Sequence, residues 1–218
     1  RRRRPVHRIG RRLLSRMAAL TDAVLAYLAA NRLETVAALF GIVSVWLSTR
    51  EHIASWPTAI VNVGLYFLVF RRAQLYADMW LQAIYLVLSC YGWYEWKFGG
   101  ADRTELPVSR VTRREALRLI PIGLIAASGL ALYFERHTDA ALPWVDSALS
   151  VLSLIAQWMM TRKLLENWAL WIVADIAYVA MFLSKALYVT AALYAVFLVL
   201  ATKGYLDWRR SWLARASS

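Results

Sequence analysis

Three stretches of this chain, residues 36–47, 120–133 and 188–201, contain no charged residue at all, and further apolar runs fill much of the sequence between them. An apolar helix of about 20 residues is what crosses the roughly 30 Å hydrocarbon layer of a bilayer. The chain is 60% hydrophobic with a mean hydropathy of +0.45 over 218 residues. A soluble domain of that length has too little interior to bury so much apolar surface. The reading is therefore an all-α integral membrane protein. Breaks marked by charge, Pro or Gly divide it into seven core spans, near 33–49, 56–70, 75–96, 116–135, 141–160, 166–183 and 187–206.

The formal charge of +12 would suggest nucleic acid in a soluble protein. Here Lys and Arg lie between apolar blocks, where basic loops face the cytoplasm and lipid phosphates, so the partners read are membrane lipids and no nucleic acid. The loops and C-terminal tail on the side of segment 97–118 hold 13 Lys and Arg, against 4 on the other side, which favours a cytoplasmic C-terminus. The basic segment 1–16 pulls the other way unless 13–30 also crosses. In that stretch Leu13, Met17, Leu20, Val24 and Leu28 share one helical stripe, the pattern of an interfacial amphipathic helix. It lacks the compact apolar core and small-residue cleavage site of a signal peptide.

An internal repeat organises the rest. Trp46, Leu47, Ser48, Thr49 and Arg50 return as Trp158, Met159, Met160, Thr161 and Arg162, an offset of 112 in the numbering. Without a gap the same offset pairs Trp56 with Trp168, Tyr66 with Tyr178, Tyr76 with Tyr188, Gly92 with Gly204 and Trp96 with Trp208. About 17 of 51 positions match, several of them Trp, Gly or Tyr, which apolar composition does not supply. The offset spans four helices, an even number, so both copies would cross in the same direction. That predicts a parallel 3+1+3 repeat with a substrate site near the midplane between two bundles. The divisions are 1–32 (basic tail and amphipathic helix), 33–97 (first three-helix bundle), 98–136 (polar loop and linker helix), 137–208 (second bundle) and 209–218 (C-terminal tail).

Polar side chains inside spans are costly and so mark candidate sites. Asp78, Gln82 and Tyr85 share one face of the third span. Trp168, Trp171, Asp175 and Tyr178 share one face of the sixth, and Asn62 and Tyr66 lie a turn apart in the second. Gln157 is deep in the fifth span, and Tyr194 in the seventh occupies the repeat position of Gln82. Tryptophans and tyrosines can stack a flat ring and attract a cation. Asp175 can supply a counter-charge, and the amides suit hydroxyls. The substrate-binding set read here is Asn62, Tyr66, Gln82, Tyr85, Gln157, Trp168, Trp171, Asp175, Tyr178 and Tyr194, for a small cationic aromatic molecule. Each has a plainer reading: amides can join helices, and tryptophans near helix ends can anchor in the interface. Trp93, Trp96, Trp144, Trp208 and Trp212 are read as such anchors. His7, His52 and His137 lie far apart and offer no metal site, and no nucleophile elbow or phosphate-binding loop is present. No cofactor and no enzyme activity are expected, the alternative from that class being a membrane-embedded enzyme acting on a lipid or cofactor.

Two stretches resemble the PnuC family of bacterial vitamin transporters. One is Leu75-Tyr-Ala-Asp78-Met-Trp-Leu-Gln82-Ala-Ile-Tyr85, running on to Tyr91-Gly-Trp-Tyr-Glu-Trp96. The other is Arg162-Lys-Leu-Leu-Glu166-Asn-Trp168-Ala-Leu-Trp171, followed by Leu187-Tyr-Val-Thr-Ala191. The resemblance covers about residues 35–210. It implies a seven-span fold related to the SWEET sugar transporters, a homotrimer with one pore per protomer, and residence in the bacterial inner membrane. It also implies facilitated diffusion of nicotinamide riboside, trapped inside by a separate kinase. The family's paired-tryptophan feature of the sixth span falls on Trp168 and Trp171, and Asp175 stands where many nicotinamide riboside carriers have Asn. Relatives carry thiamine, riboflavin or deoxynucleosides, so thiamine, also cationic and aromatic, stays open as an alternative.

Overall fold

The computed structural model describes Asp22 and residues 30–138, 142–184 and 187–216. Among them are seven α-helices: α1 Arg32–Thr49, α2 Ser55–Arg72, α3 Tyr76–Phe98, α4 Arg113–His137, α5 Pro143–Thr161, α6 Asn167–Ser184 and α7 Tyr188–Ala216. Local chemistry sets the ends. Thr112 and Glu115 form a reciprocal capping box that starts α4. Pro143 begins α5, where a missing N–H costs nothing. Helices α1 and α5 stop alike, at Arg50 and Arg162, each followed by a residue with left-handed backbone: Glu51 at φ 56 and Lys163 at φ 48.

Short connections make successive helices antiparallel, so all seven share two ends. At one, the basic end, lie the C-termini of α1, α3 and α5, the N-termini of α2, α4 and α6, and the C-terminal turns of α7. Its core is a tryptophan cluster. Trp56 meets Trp96 edge to face at 5.2 Å between ring centroids, Trp168 meets Trp208 likewise at 5.4 Å, and Trp96 lies against Trp208 at 5.7 Å. Glycines make the space. The ring of Trp56 occupies the position a Cβ on Gly92 would take, and a Cβ on Gly204 would fall 2.6 Å from the ring of Trp168.

Trp96 and Trp208, read above as interfacial anchors, are 2% and 0% exposed. The correction has a definite cause. The last carbonyls of a helix lack intrahelical donors. The Trp96 indole donates to the Met160 carbonyl at 2.9 Å, near the end of α5, and the Trp208 indole donates to the Ser48 carbonyl at 2.9 Å, near the end of α1. Trp96 thus ties α3 to α5, and Trp208 ties α7 to α1. Trp93 and Trp144 are exposed, and Trp212 is half-buried against the cluster.

Segment 97–115, expected as a polar loop, is a fixed strap across this end. Leu106 N–H donates to the Trp96 carbonyl and Val108 is buried in the tryptophan cluster. Ser109 pairs with Leu164 in a single parallel bridge, through Ser109 N–H to the Lys163 carbonyl and Leu165 N–H to the Ser109 carbonyl. Glu166 accepts from Val111 N–H at 2.9 Å and pairs with Arg110 at 2.8 Å. Ion pairs Lys163–Glu51 at 3.3 Å and Arg162–Glu95 at 3.4 Å complete the closure.

Four stretches, Arg32–Thr49, Arg113–His137, Asn167–Ser184 and Tyr188–Arg215, are long and apolar enough to cross a membrane. Helices α2, α3 and α5 lie where spans were expected but carry more polar and aromatic side chains. Helix α7 runs ten residues beyond its expected end, supported by the Lys203–Asp207 pair one turn apart and by burial of Trp208. The amphipathic stripe of 13–30 lies outside the described residues.

Candidate functional site

Far from the tryptophan cluster, a second group of aromatic and polar side chains gathers in the middle of the helices. Depth follows from the helical rise of about 1.5 Å per residue. Measured from the end opposite the strap, Tyr66, Tyr178 and Tyr194 lie about 9 Å down α2, α6 and α7, while Tyr85 and Asp175 lie about 13 Å down α3 and α6. These five and Gln82, itself about 9 Å down α3, are six of the ten expected residues and fall in one level about 5 Å thick.

Their contacts follow that level. Tyr178 and Tyr194 pack with ring centres 4.7 Å apart and planes tilted by 35°, and Tyr194 also packs on Phe182 at 5.3 Å and edge-on to Phe197 at 5.9 Å. Tyr66 stacks on Phe70 at 5.7 Å, and the repeat-related pair, Tyr178 on Phe182, stacks at 6.2 Å. The Tyr194 phenol lies within electrostatic reach of Tyr178, Asp175, Tyr66 and Tyr85. Asp175 is 4% exposed, and no hydrogen bond or ion pair to it forms among the described residues. An ionised carboxylate buried without a partner is expensive, and a cationic ligand offsets that cost.

The amides divide. Asn62 donates from Nδ2 to the Ala37 carbonyl at 2.7 Å, a helix-to-helix bond made possible by Gly41, where a Cβ would come 2.9 Å from that nitrogen. Its carbonyl oxygen is not used in that bond. Gln82 and Gln157 are half-buried on the faces that α3 and α5 turn inward with Tyr85 and Ser153.

The tryptophans stand apart. Trp168 is ten residues, about 15 Å, from Tyr178 along α6. It is buried against Trp208 and Gly204 with no acceptor for its indole N–H. Trp171 packs half-buried against the same cluster. The structure thus puts them between the strap and the tyrosine group, on the side of α6 that continues to Asp175.

One member of the group was not singled out from sequence. Ser153 of α5 is 4% exposed. Its hydroxyl lies within reach of the Tyr85 and Tyr178 hydroxyls without closing a hydrogen bond in good geometry. A lone Ser in an apolar helix is too common to read; only its position four residues before Gln157 hinted at a shared face. Two open clefts lie elsewhere, one of about 660 Å³ by Arg32 and Arg72 and one of about 340 Å³ by Cys90 and Phe98. Among the described residues no group of His, Cys, Asp and Glu could hold a metal ion.

Comparison with known proteins gives a consistent picture. A sequence model described as nicotinamide mononucleotide transporter matches residues 31–210. The chain is 27% identical to the nicotinamide riboside transporter PnuC of Escherichia coli, over 85% of this chain and 88% of that one. It is 23% identical to the riboflavin/roseoflavin transporter RibM of Streptomyces davaonensis, over 80% and 83%. A crystal structure of the vitamin B3 transporter PnuC superposes with a TM-score of 0.68 at 24% identity, covering 88% of this chain and 86% of the other. That likeness shows the fold.

Proposed function

The chain belongs to the nicotinamide mononucleotide transporter family, and from that premise we propose that it carries nicotinamide riboside across the bacterial inner membrane as a multi-pass protein. The observation that carries the choice of substrate is Asp175, buried and without a cation among the described residues, beside Tyr66, Tyr85, Tyr178 and Tyr194. Nicotinamide riboside is a flat pyridinium with a hydroxylated sugar. The carboxylate offsets its charge, the tyrosine faces receive its ring, and Gln82, Gln157, Asn62 and the Ser153 hydroxyl face its amide and ribose. Trp168 and Trp171 border the path on the strap side. Riboflavin is uncharged and gains nothing from Asp175; thiamine is cationic and is the second reading.

The mechanism is facilitated diffusion with alternating access. All seven helices span, and helices α1–α3 and α5–α7 form two parallel bundles joined by α4, dividing the chain at about 33–97, 98–136 and 137–208. The reciprocal bonds Trp96 to Met160 and Trp208 to Ser48, each the other's counterpart in the repeat, support that pairing. Rocking one bundle against the other opens the site to either face in turn. The strap end, rich in Lys and Arg, faces the cytoplasm. Helix α4 exposes Leu117, Ile120, Leu124 and Ile125 to lipid or to a neighbouring copy, which suits the trimer expected from the resemblance.

Calorimetric titration of the purified protein with nicotinamide riboside, thiamine, riboflavin and the reduced, uncharged riboside tests the reading. Binding of the cationic riboside above all others is expected. Heat from thiamine or riboflavin with none from the riboside would overturn the substrate assignment.

A further inference from the structure

At the strap end, polar ties join helices α1–α3 to helices α5–α7. Glu51, in the turn after α1, pairs with Lys163, in the turn after α5, at 3.3 Å, and with Arg215 of α7 at 3.8 Å. Glu95 of α3 pairs with Arg162 at the end of α5 at 3.4 Å. The Trp96 indole donates to the Met160 carbonyl and the Trp208 indole to the Ser48 carbonyl, at 2.9 Å each. The strap is fastened differently. Ser109 bridges to Leu164, and Arg110 and the Val111 N–H both bond Glu166, so residues 109–111 sit on the turn between α5 and α6.

The tryptophan row has a seam. Trp56 of α2 meets Trp96 of α3 edge to face, and its ring fills the space beside Gly92 of the same α3. Trp168 of α6 does the same with Trp208 and Gly204 of α7. Rings seated against backbone cannot slide without a collision, so each of these pairs moves as one piece. The pieces meet at Trp96 on Trp208, ring against ring at 5.7 Å and 57°.

The closed layer also leaves polar groups unsatisfied. In the first turns of α2 and α6, the indole N–H groups of Trp56 and Trp168, the Ser55 hydroxyl and the Asn167 side-chain carbonyl are buried with no hydrogen-bond partner among the described residues. Buried polar groups are nearly always paired, and leaving them unpaired costs stability. Ser55 and Asn167, like Trp56 and Trp168, correspond in the repeat, so the cost arises on both sides of the seam. Parting the layer admits water to these groups and offsets the loss of the ties.

We propose that this layer is the strap-side gate of the transporter in its closed state. It opens along the Trp96–Trp208 contact and breaks the Glu51–Lys163 and Glu95–Arg162 pairs, while the strap stays on the α5–α6 turn and moves with it. The inference rests on the alternating access proposed above.

Crosslinking across the seam tests the gate. Cys90, the single cysteine of the chain, is replaced in C90S, E95C/R162C is added, and the protein in proteoliposomes is treated with a short bis-methanethiosulfonate. The crosslink should lower uptake of labelled nicotinamide riboside by about tenfold or more, and reduction should restore it. Affinity of the crosslinked protein for the riboside should stay within about threefold of the untreated protein, since the other side of the site is untouched. Hydrogen exchange, which needs no ligand, should slow at 47–56 and 159–168. In S109C/L164C, which joins the strap to the α5–α6 turn, the same treatment should leave uptake, and exchange at 47–56, unchanged. Full uptake through the E95C/R162C crosslink overturns the gate, as does unchanged exchange, failure of the folded variant to crosslink, or an equal block in S109C/L164C. Should E95C/R162C not fold, E51C/K163C, which removes both members of a buried pair, is read by the same criteria. If the untreated protein neither binds nor carries the riboside, the substrate reading falls, and hydrogen exchange still decides the gate.

Discussion

Glu51 and Lys163 are 112 residues apart in the chain and 3.3 Å apart between carboxylate oxygen and ammonium nitrogen. The same interval relates Trp96 to Trp208, which lie ring against ring, and Ser48 to Met160, whose carbonyls those two indoles bond. Two pairs of residues that correspond under the sequence offset, Glu51 with Lys163 and Trp96 with Trp208, therefore meet at the strap end. Lys163 also lies 4.6 Å from the centre of the Trp96 ring.

That pair has a stability consequence. Burial pushes the Lys163 ammonium below the ordinary lysine range, and Glu51 only partly offsets the effect. In E51Q the buried cation loses its partner, at a cost of roughly 2 kcal/mol given that Glu51 keeps some solvent contact. Above the lowered folded value and up to the ordinary lysine value, the unfolded chain binds more protons than the folded one, so stability rises with pH. Thermal melts of E51Q should lie well below wild type at neutral pH and recover part of the gap toward about pH 9.5. A gap independent of pH would show that Lys163 is not its source.

The glycines make a contrast within one protein. A Cβ at Gly92 or Gly204 would collide with the rings of Trp56 and Trp168, whereas nothing lies within 4 Å at Gly64 or Gly129. Overpacking costs about 1–3 kcal/mol, and Gly to Ala in an open helix stabilises by about 0.5–1 kcal/mol. G92A and G204A should lower the melting temperature by several degrees, and G64A and G129A should hold or raise it. Equal behaviour of the four variants would contradict the close ring-to-backbone packing.

Within the strap, Glu166 and Arg110 have unequal roles. Glu166 accepts from both Arg110 and the Val111 N–H, while Arg110 is exposed and reaches little else but the Trp212 ring at 5.4 Å. Exposed ion pairs contribute little. R110A should leave hydrogen exchange in 104–112 nearly unchanged, and E166A should speed it by freeing a backbone donor. If R110A frays the strap as much as E166A does, the cation and not the backbone bond holds it.

Much of this was legible in the sequence, and for identifiable reasons. The seven helices fall within a few residues of their expected limits, apart from the longer α7, because apolar runs and their charged breaks report helix length directly. Tyr66, Tyr85, Asp175 and Tyr178 enter the candidate set because polar and aromatic side chains recur on one face of an apolar span, and Tyr194 because it holds the repeat position of Gln82; that the five lie close together is what the structure adds. The rest needed the third dimension. Trp96 and Trp208 look like interfacial anchors at the ends of apolar runs, and only the carbonyls of Met160 and Ser48, contributed from the other half of the chain, explain their burial. Ser153 is an ordinary residue in sequence; it gains meaning when α3 is packed against α5. The strap's apolar residues, Leu106 and Val108, are too few to form a pattern, so their docking at 163–166 could not be read in advance.

Asp175 is where stability and function should pull in opposite directions. Asn has nearly the same shape but no charge, so D175N removes a buried carboxylate that has no partner in the empty protein. Unpaired buried charge is destabilising, and the ligand-free variant should melt higher than wild type, by the equivalent of about 1–2 kcal/mol. The same change removes the group that offsets the pyridinium. Truncating one member of a buried charge pair costs about 2–5 kcal/mol, so affinity for nicotinamide riboside should fall roughly thirtyfold or more, while the uncharged reduced riboside should bind within about threefold of wild type. A residue that merely shaped the helix bundle would, when replaced, weaken both ligands together and lower the melting temperature. A D175N protein that binds both forms of the riboside as wild type does would remove Asp175 from the site.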